Sequence, residues 1–198
     1  MHLHKLVDVQ RFRVQLPAPL FPFQSASLQS ALVEQLPANA NGWCSINDLS
    51  EHFTPNFSRR NRLNLPGPFY GAETDTCATG PMEAPRNVLL DSDGFEFLFK
   101  QPSTAEEFRQ VISAAICECF QGYGADGNEH WRLLLIREWW RERHHYLSET
   151  DTAYCSAEAI AQWRSGLEGD AEPYLREYAF FVDNGRVPND GELLPEVG

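Results

Sequence analysis

The sequence predicts an α+β protein, and three observations support this fold class. A hairpin signal lies at residues 87–100, where two strand-like segments flank Ser92, Asp93 and Gly94. Segments with helical periodicity follow one another after residue 103. Strands and helices do not alternate along the whole chain, as they would in a parallel α/β protein. We therefore expect a small antiparallel sheet that includes the hairpin near 87–100 and packs against several helices.

The first part of the chain predicts one strand and two short helices. Residues 7–16 are rich in β-branched and aromatic residues in near alternation, which indicates a strand. Leucines recur every four residues over 28–36 and predict an amphipathic helix. A second short helix is predicted over 47–53, because a proline follows shortly after it.

The hairpin and the helix after it are predicted to form core. Every second residue from Phe95 to Phe99 is phenylalanine, so the three rings share one face of a strand. Thr104 and Glu107 have the spacing of a capping box at the start of a helix. Apolar residues then recur at helical spacing as far as Cys119, which places Cys119 on the buried stripe of that helix.

Three further helices are predicted towards the C-terminus. Residues 131–146 are apolar on two sides, which favours a central position in the fold. Ser156 is suited to cap the start of another helix. Pro173 suits the first turn of a last helix, and Gly185 suits its C-terminal cap. A strand over 178–182 is the alternative for that last segment.

The length and composition predict one domain with a packed core. The chain has 198 residues, of which 42% are hydrophobic. We predict a single domain over residues 1–198. A seam near 56–66 is the alternative, with an N-terminal subdomain over 1–57 and a main α+β subdomain over 66–198.

The sequence also predicts where the protein resides. No run of about 18 apolar residues could form a membrane-spanning helix, and the first residues do not resemble a signal peptide. Five cysteines without framework spacing indicate reduced thiols. We expect a cytoplasmic protein that does not contact a membrane.

The net charge of −12 is unevenly distributed along the chain. Residues 1–65 carry +2, residues 66–148 carry −6 and residues 149–198 carry −8. An acidic protein repels phosphate backbones, so direct binding of nucleic acid is not expected. The acidic character favours either solubility alone or attraction to a basic protein partner.

The segment at residues 65–81, which we call the central loop, raises the question of cysteine catalysis. It combines Cys77 and Asp75 with several Gly and Pro residues. A nucleophilic cysteine needs a base placed next to it, and no histidine of the chain has a recognisable spacing to Cys77. We therefore expect no catalytic residue, although a small enzyme that uses Cys77 and Asp75 is the alternative.

No metal site and no cofactor are predicted. Cys117 and Cys119 lack the second pair of ligands that a structural zinc site needs. Glu142 and His145 have the spacing of a di-metal carboxylate motif, but no second copy of the motif occurs. Phosphate-binding and dinucleotide-binding motifs are also missing from the sequence.

Part of the chain resembles immunity-type proteins encoded at bacterial toxin–immunity loci. The residues that carry the resemblance are GPFYGAETDTCATG in the central loop, the hairpin rich in phenylalanine, GYGADG at 122–127 and EWWR at 138–141. It covers about residues 65–147. The resemblance implies a small acidic protein that binds and neutralises a secreted toxin, for example a nuclease, and it implies no catalytic residue.

The leading hypothesis is therefore an immunity protein that binds a toxin with a basic surface through its own acidic surface. A non-catalytic adaptor protein is a further alternative. The residues predicted to contact the partner are Tyr70, Glu73, Asp75, Glu168, Asp170, Glu172, Asp190 and Glu192.

Overall fold

The computed structural model describes residues 52–54 and 56–198. The strand predicted over 7–16 and the helix predicted over 28–36 lie outside the described residues, as does most of the helix predicted over 47–53. The division of the chain into one domain or two subdomains stays a prediction.

Six α-helices are described, and none of the helices among the described residues is long and apolar enough to cross a membrane. The helices are α1 (Thr79–Glu83), α2 (Ala105–Cys117), α3 (Gly127–His130), α4 (Leu133–Glu142), α5 (Ala157–Ser165) and α6 (Glu172–Asn184). Two 3₁₀ segments cover Phe57–Arg59 and Arg143–Glu149, and a π-helical turn covers Gly166–Asp170.

Five short strands form two antiparallel sheets, which confirms the predicted α+β fold. The strands are β1 (Tyr70–Gly71), β2 (Val88–Asp91), β3 (Glu96–Leu98), β4 (Tyr123–Gly124) and β5 (Thr150–Asp151). The first sheet pairs β1 with β4, and the second has the order β3-β2-β5. The predicted hairpin joins β2 to β3, and Gly94 in its turn has a φ of 87°, which glycine adopts without strain.

The three-stranded sheet lies between two hydrophobic clusters. Leu89, Phe97 and Phe99 belong to the cluster that contains the tryptophans of α4 and α5 and the buried face of α6. Val88 and Leu98 point the other way and belong to the cluster formed with α2. Because side chains alternate across a strand, the hairpin contributes to both layers of core at once.

The predicted caps fix where the helices begin and end. The Thr104 hydroxyl accepts the Glu107 N–H at 3.1 Å, and the Glu107 carboxylate reaches back to the Ser103 N–H at 2.8 Å. The Ser156 hydroxyl accepts an N–H of the first turn of α5 at 3.1 Å. Gly185 ends α6 with a φ of 68°, so the last segment is a helix and not the alternative strand.

Two predictions about helix α2 and the helix after it were wrong in detail. Helix α2 ends at Cys117, and Cys119 is exposed instead of lying on a buried stripe. The chain turns there because Glu118 adopts an extended conformation and points its carboxylate inward. The helix predicted over 131–146 is shorter, since α4 begins at residue 133 and its continuation after residue 142 is a 3₁₀ segment.

Substitution of Phe97 tests whether the three-stranded sheet lies in the middle of the fold. The Phe97 side chain is fully buried and packs against Trp163 in a tilted arrangement, with ring centroids 5.5 Å apart. We expect Phe97→Ala to lower the free energy of unfolding by about 3–5 kcal/mol, because it leaves a cavity between two layers. Urea denaturation measures this loss. Phe120→Ala is the matched control, because Phe120 is 72% exposed, and it should cost less than about 1 kcal/mol.

Candidate functional site

Two buried amide side chains hold the first half of the central loop in place. Asn64 accepts the N–H groups of Gly71 and Leu98 at 2.8 and 2.9 Å. Gln101 donates to the carbonyls of Leu65 and Phe69 at 3.0 and 2.9 Å. Both amides supplement the short pairing of β1 with β4, so the loop is a fixed part of the core.

Three buried carboxylates support the second half of the central loop. Asp75, Glu96 and Glu118 are 4%, 0% and 3% exposed. Among the described residues none of them forms an ion pair. Since a buried charge is costly unless it is hydrogen-bonded, the donors around these carboxylates determine the local structure.

Within the described part of the chain, the Glu118 carboxylate accepts hydrogen bonds only from main-chain N–H groups. Its oxygens accept from Asp75 at 2.7 Å, from Phe120 at 2.9 Å and from Gly122 at 2.5 Å. The carboxylate therefore joins the central loop to the turn after α2. A Cβ on Gly122 would lie 2.8 Å from Thr74, so the close approach of the two segments requires glycine there.

Glu96 lies deeper, behind helix α1. It accepts the Gly80 N–H and the Tyr123 hydroxyl, both at 2.6 Å. Burial raises the pKa of Glu96 to about 6 despite these two donors. A Cβ at position 80 would lie 2.4 Å from the Glu96 carboxylate, which explains a glycine in the first turn of α1. Helix α1 was not predicted, because a proline at position 81 and a glycine at position 80 disfavour helix.

Asp75 joins two cysteines that are 42 positions apart in the sequence. One carboxylate oxygen accepts the Cys77 N–H at 2.8 Å, and the other accepts the Cys119 N–H at 3.1 Å. Both thiols also hydrogen-bond to this carboxylate. Burial alone would raise the pKa of Asp75, but these donors lower it below its ordinary value.

The surroundings of Cys77 are opposite to those of an activated nucleophile. Its side chain is exposed, and it donates a hydrogen bond to Asp75. That hydrogen bond and the negative charge of Asp75 raise the pKa of Cys77, so the thiol stays protonated near neutral pH. The structure thus brings Cys77 and Asp75 together, as the enzyme alternative requires, but Asp75 suppresses the thiolate.

Two residues predicted to contact a partner are buried. Tyr70 is 0% exposed, and its hydroxyl donates to Asp126 at 2.5 Å and accepts the Asn56 N–H at 2.9 Å. The Asp75 carboxylate accepts hydrogen bonds from the main-chain N–H groups of Cys77 and Cys119. Both residues therefore position the central loop and offer no surface to a partner. Their neighbour Glu73 is exposed and pairs with Arg59.

A second polar constellation, which was not predicted from the sequence, lies next to Tyr70. The His130 imidazole lies 2.9 Å from the other oxygen of Asp126, and its ring stacks on Phe57 with centroids 4.9 Å apart. The spacing of Asp126 and His130, four residues apart across α3, could have indicated it. Within residues 52–54 and 56–198, neither a serine hydroxyl nor a cysteine thiol hydrogen-bonds to His130, so the pair lacks a nucleophile.

A cavity of about 790 Å³ lies between the end of the hairpin and helices α5 and α6. We call it the α5–α6 cavity. Apolar side chains of Leu65, Phe99 and Tyr174 line it. The Tyr174 hydroxyl donates to the Pro66 carbonyl at 2.8 Å, which fixes α6 against the central loop.

Charged groups of the α5–α6 cavity are mainly acidic. Asp170 in the π-helical turn and Glu177 in α6 line it, and so does Lys100. The Lys100 ammonium lies 2.7 Å from the carboxylate of Glu107 and is neutralised by it. Asp170 accepts a hydrogen bond from Ser165, a neutral donor. The cavity therefore has a negative potential.

The other predicted contact residues in the C-terminal part differ in how they are engaged. Glu168 is exposed and Glu172 half-buried, and they flank Asp170 in the chain. Asp190 is exposed. Glu192 is engaged within the protein, because its carboxylate forms an ion pair with Arg186 and accepts a hydrogen bond from the Asn189 N–H. The Arg186 guanidinium lowers the pKa of Glu192 to about 2.

Comparison with known protein families, with curated proteins and with solved structures found no match to this chain. Among the described residues, no group of three or more histidine, cysteine or acidic side chains could hold a metal ion.

The raised pKa of Glu96 predicts how the stability of the protein depends on pH. A carboxyl whose pKa rises on folding binds its proton more tightly in the native state. Its contribution therefore favours folding below about pH 4.5 and is lost as the pH rises towards about 6. We expect the free energy of unfolding of wild type, minus that of Glu96→Gln, to fall by about 2 kcal/mol over this range.

Urea denaturation of both proteins at several pH values between 4 and 7 measures this difference. The exposed Glu138→Gln variant is the control and should differ from wild type by a nearly constant amount. A difference between wild type and Glu96→Gln that rises with pH would show that burial does not dominate at Glu96.

Cys77 gives a second prediction, which tests the enzyme alternative. We expect Cys77→Ser to retain the biological activity of wild type under reducing conditions, because its thiol is held protonated by Asp75. A serine hydroxyl can donate the same hydrogen bond, so the fold should be kept. Loss of activity in a folded Cys77→Ser protein, judged by an unchanged thermal transition, would contradict this expectation.

Proposed function

We propose that the protein is a non-catalytic binding protein of the immunity type, which neutralises a basic protein partner. The observation that carries the proposal is the set of carboxylates at the α5–α6 cavity. Asp170 and Glu177 line the cavity, and Glu168 and Glu172 flank Asp170. Within the described residues no ion pair engages any of the four. Their charge is thus available to a partner.

The α5–α6 cavity suits an exposed lysine or arginine of such a partner. The long stem of either side chain can pack on Phe99 and Tyr174, and the charged end can reach a carboxylate. An arginine can also form paired hydrogen bonds with Asp170 or Glu177. Charge complementarity of this kind mainly raises the association rate and selects the partner.

A nuclease toxin is the kind of partner that this surface fits. A nuclease is basic where it holds the phosphate backbone, and an acidic inhibitor competes for the same cations. The resemblance of residues 65–147 to immunity-type proteins supports the same class of partner. In this proposal the central loop is the rigid support from which Tyr174 and α6 present the cavity.

The alternative of a small enzyme that uses Cys77 is less well supported. Catalysis needs a thiolate and an adjacent base. Asp75 accepts the hydrogen bond from Cys77 and raises its pKa, which disfavours the thiolate. No comparable observation favours the adaptor alternative over a neutralising role.

Association kinetics test the role of the acidic residues. We expect the variant Glu168→Gln, Asp170→Asn, Glu172→Gln to associate with the basic partner at least several-fold more slowly than wild type at low salt. The dissociation rate should change less, because the three charges mainly accelerate the diffusional encounter of the two proteins. The difference should shrink as salt rises, since the screening length is only about 8–10 Å at physiological ionic strength.

The partner is first obtained by co-purification with wild-type protein from bacteria that encode it, and its neutralisation is checked by growth on co-expression. The control variant removes three other exposed carboxylates, with Asp93→Asn, Glu138→Gln and Glu142→Gln. It has the same net charge but leaves the α5–α6 cavity intact. Equal association rates for the two variants would mean that only total charge matters and that the cavity is not the binding site.

A further inference from the structure

Two exposed thiols converge on one buried carboxylate at the edge of the central loop. The two oxygens of Asp75 accept the main-chain N–H groups of Cys77 and Cys119 at 2.8 and 3.1 Å. Because both acceptors belong to one carboxyl group, the two nitrogens are no more than about 8 Å apart. Both side chains turn towards the same carboxylate, and both residues are exposed.

We propose that Cys77 and Cys119 form an oxidation site, at which a peroxide converts the two thiols into a reversible disulfide. A disulfide needs Cα atoms about 4.4–6.8 Å apart. The shared hydrogen bonds to Asp75 keep the two backbones near each other, so the two cysteines need only a local shift to reach this range. The bond would link the central loop covalently to the turn after α2.

The third exposed thiol of this region is directed elsewhere. Cys117 is the last residue of α2 and hydrogen-bonds to Ser113, one turn earlier in the same helix. The Cys119 thiol hydrogen-bonds to Asp75, and its Sγ also lies 3.9 Å from the carbonyl oxygen of Cys117. Cys77 is therefore the better oriented partner for Cys119, although Cys117 is nearer in sequence.

The chemistry of the step balances with hydrogen peroxide as the oxidant. One thiol loses its proton and attacks the peroxide, and the O–O bond breaks to give a sulfenic acid and hydroxide, which takes up that proton and becomes the first water. The second thiol attacks the sulfenic sulfur, an S–S bond forms, and the second water leaves. Asp75 loses two S–H donors in this reaction but keeps both main-chain donors, so the surrounding structure can persist.

Peptide mapping of the full-length protein tests the proposal. The reduced protein is treated with a small excess of hydrogen peroxide and digested without reductant. We expect a cross-linked peptide that contains Cys77 and Cys119, and a fall in free thiols from five to three. Dithiothreitol should restore all five. The rate should rise with pH, because the thiolate is the reactive form.

Cysteine variants and thermal unfolding provide matched controls. Cys119→Ser should abolish the cross-link, and Cys117→Ser should leave it intact. Oxidation should raise the Tm of wild type and Cys117→Ser by about 5–10 °C, because the bond closes a long loop of the unfolded chain. Cys119→Ser should show no such rise.

Three results would overturn the proposal. The first is a cross-link between Cys117 and Cys119 or one to another cysteine of the chain. The second is a disulfide-linked dimer. The third is oxidation of Cys77 to sulfinic acid without any cross-link. Since the mapping is done on wild type, the decision does not depend on the folding of a variant.

Discussion

Three carboxylates are buried without an ion pair to any described residue, and their burial constrains the centre of this structure. Asp75, Glu96 and Glu118 are satisfied by main-chain N–H groups and by the Tyr123 hydroxyl. Because an unsatisfied buried charge costs several kcal/mol, the segments that supply the donors cannot move independently. The central loop, β3, α1 and the turn after α2 are thus fixed together, although most of them have little regular structure.

The same constraint divides the acidic residues into groups with different roles. Buried carboxylates hold the loop, and paired ones such as Glu107 and Glu192 stabilise local structure through Lys100 and Arg186. The carboxylates around the α5–α6 cavity belong to neither group. The net charge of −12 alone cannot distinguish these roles, because it counts a buried Glu96 and an exposed Glu168 equally.

Features set by local sequence could be predicted, and those set by tertiary contacts could not. The hairpin at Asp93 and Gly94 and the helix cap at Thr104 depend on neighbouring residues, and both are confirmed. The end of α2 depends on where the Glu118 carboxylate finds its donors, so Cys119 was wrongly placed. Helix α1 has poor propensity and is held by Glu96, a residue from another strand.

The candidate site shows the same limit. Asp75 and Tyr70 lie among polar residues, glycines and prolines, a composition typical of exposed loops. Their burial depends on partners 44 and 56 positions away, which the pattern around them does not reveal. The acidic cluster near Asp170 was visible in the sequence, but its place beside an apolar cavity was not.

The sign of the charge in the α5–α6 cavity follows from one pairing. Lys100 is the basic residue in its lining, and Glu107, whose side chain is 6% exposed, holds it at 2.7 Å. Lys100 and Ser103 lower the pKa of Glu107 more than burial raises it, so Glu107 stays ionised at neutral pH and offsets that cation. Asp170 and Glu177 then set the local potential. The lining beside Phe99 and Tyr174 therefore carries a net negative charge.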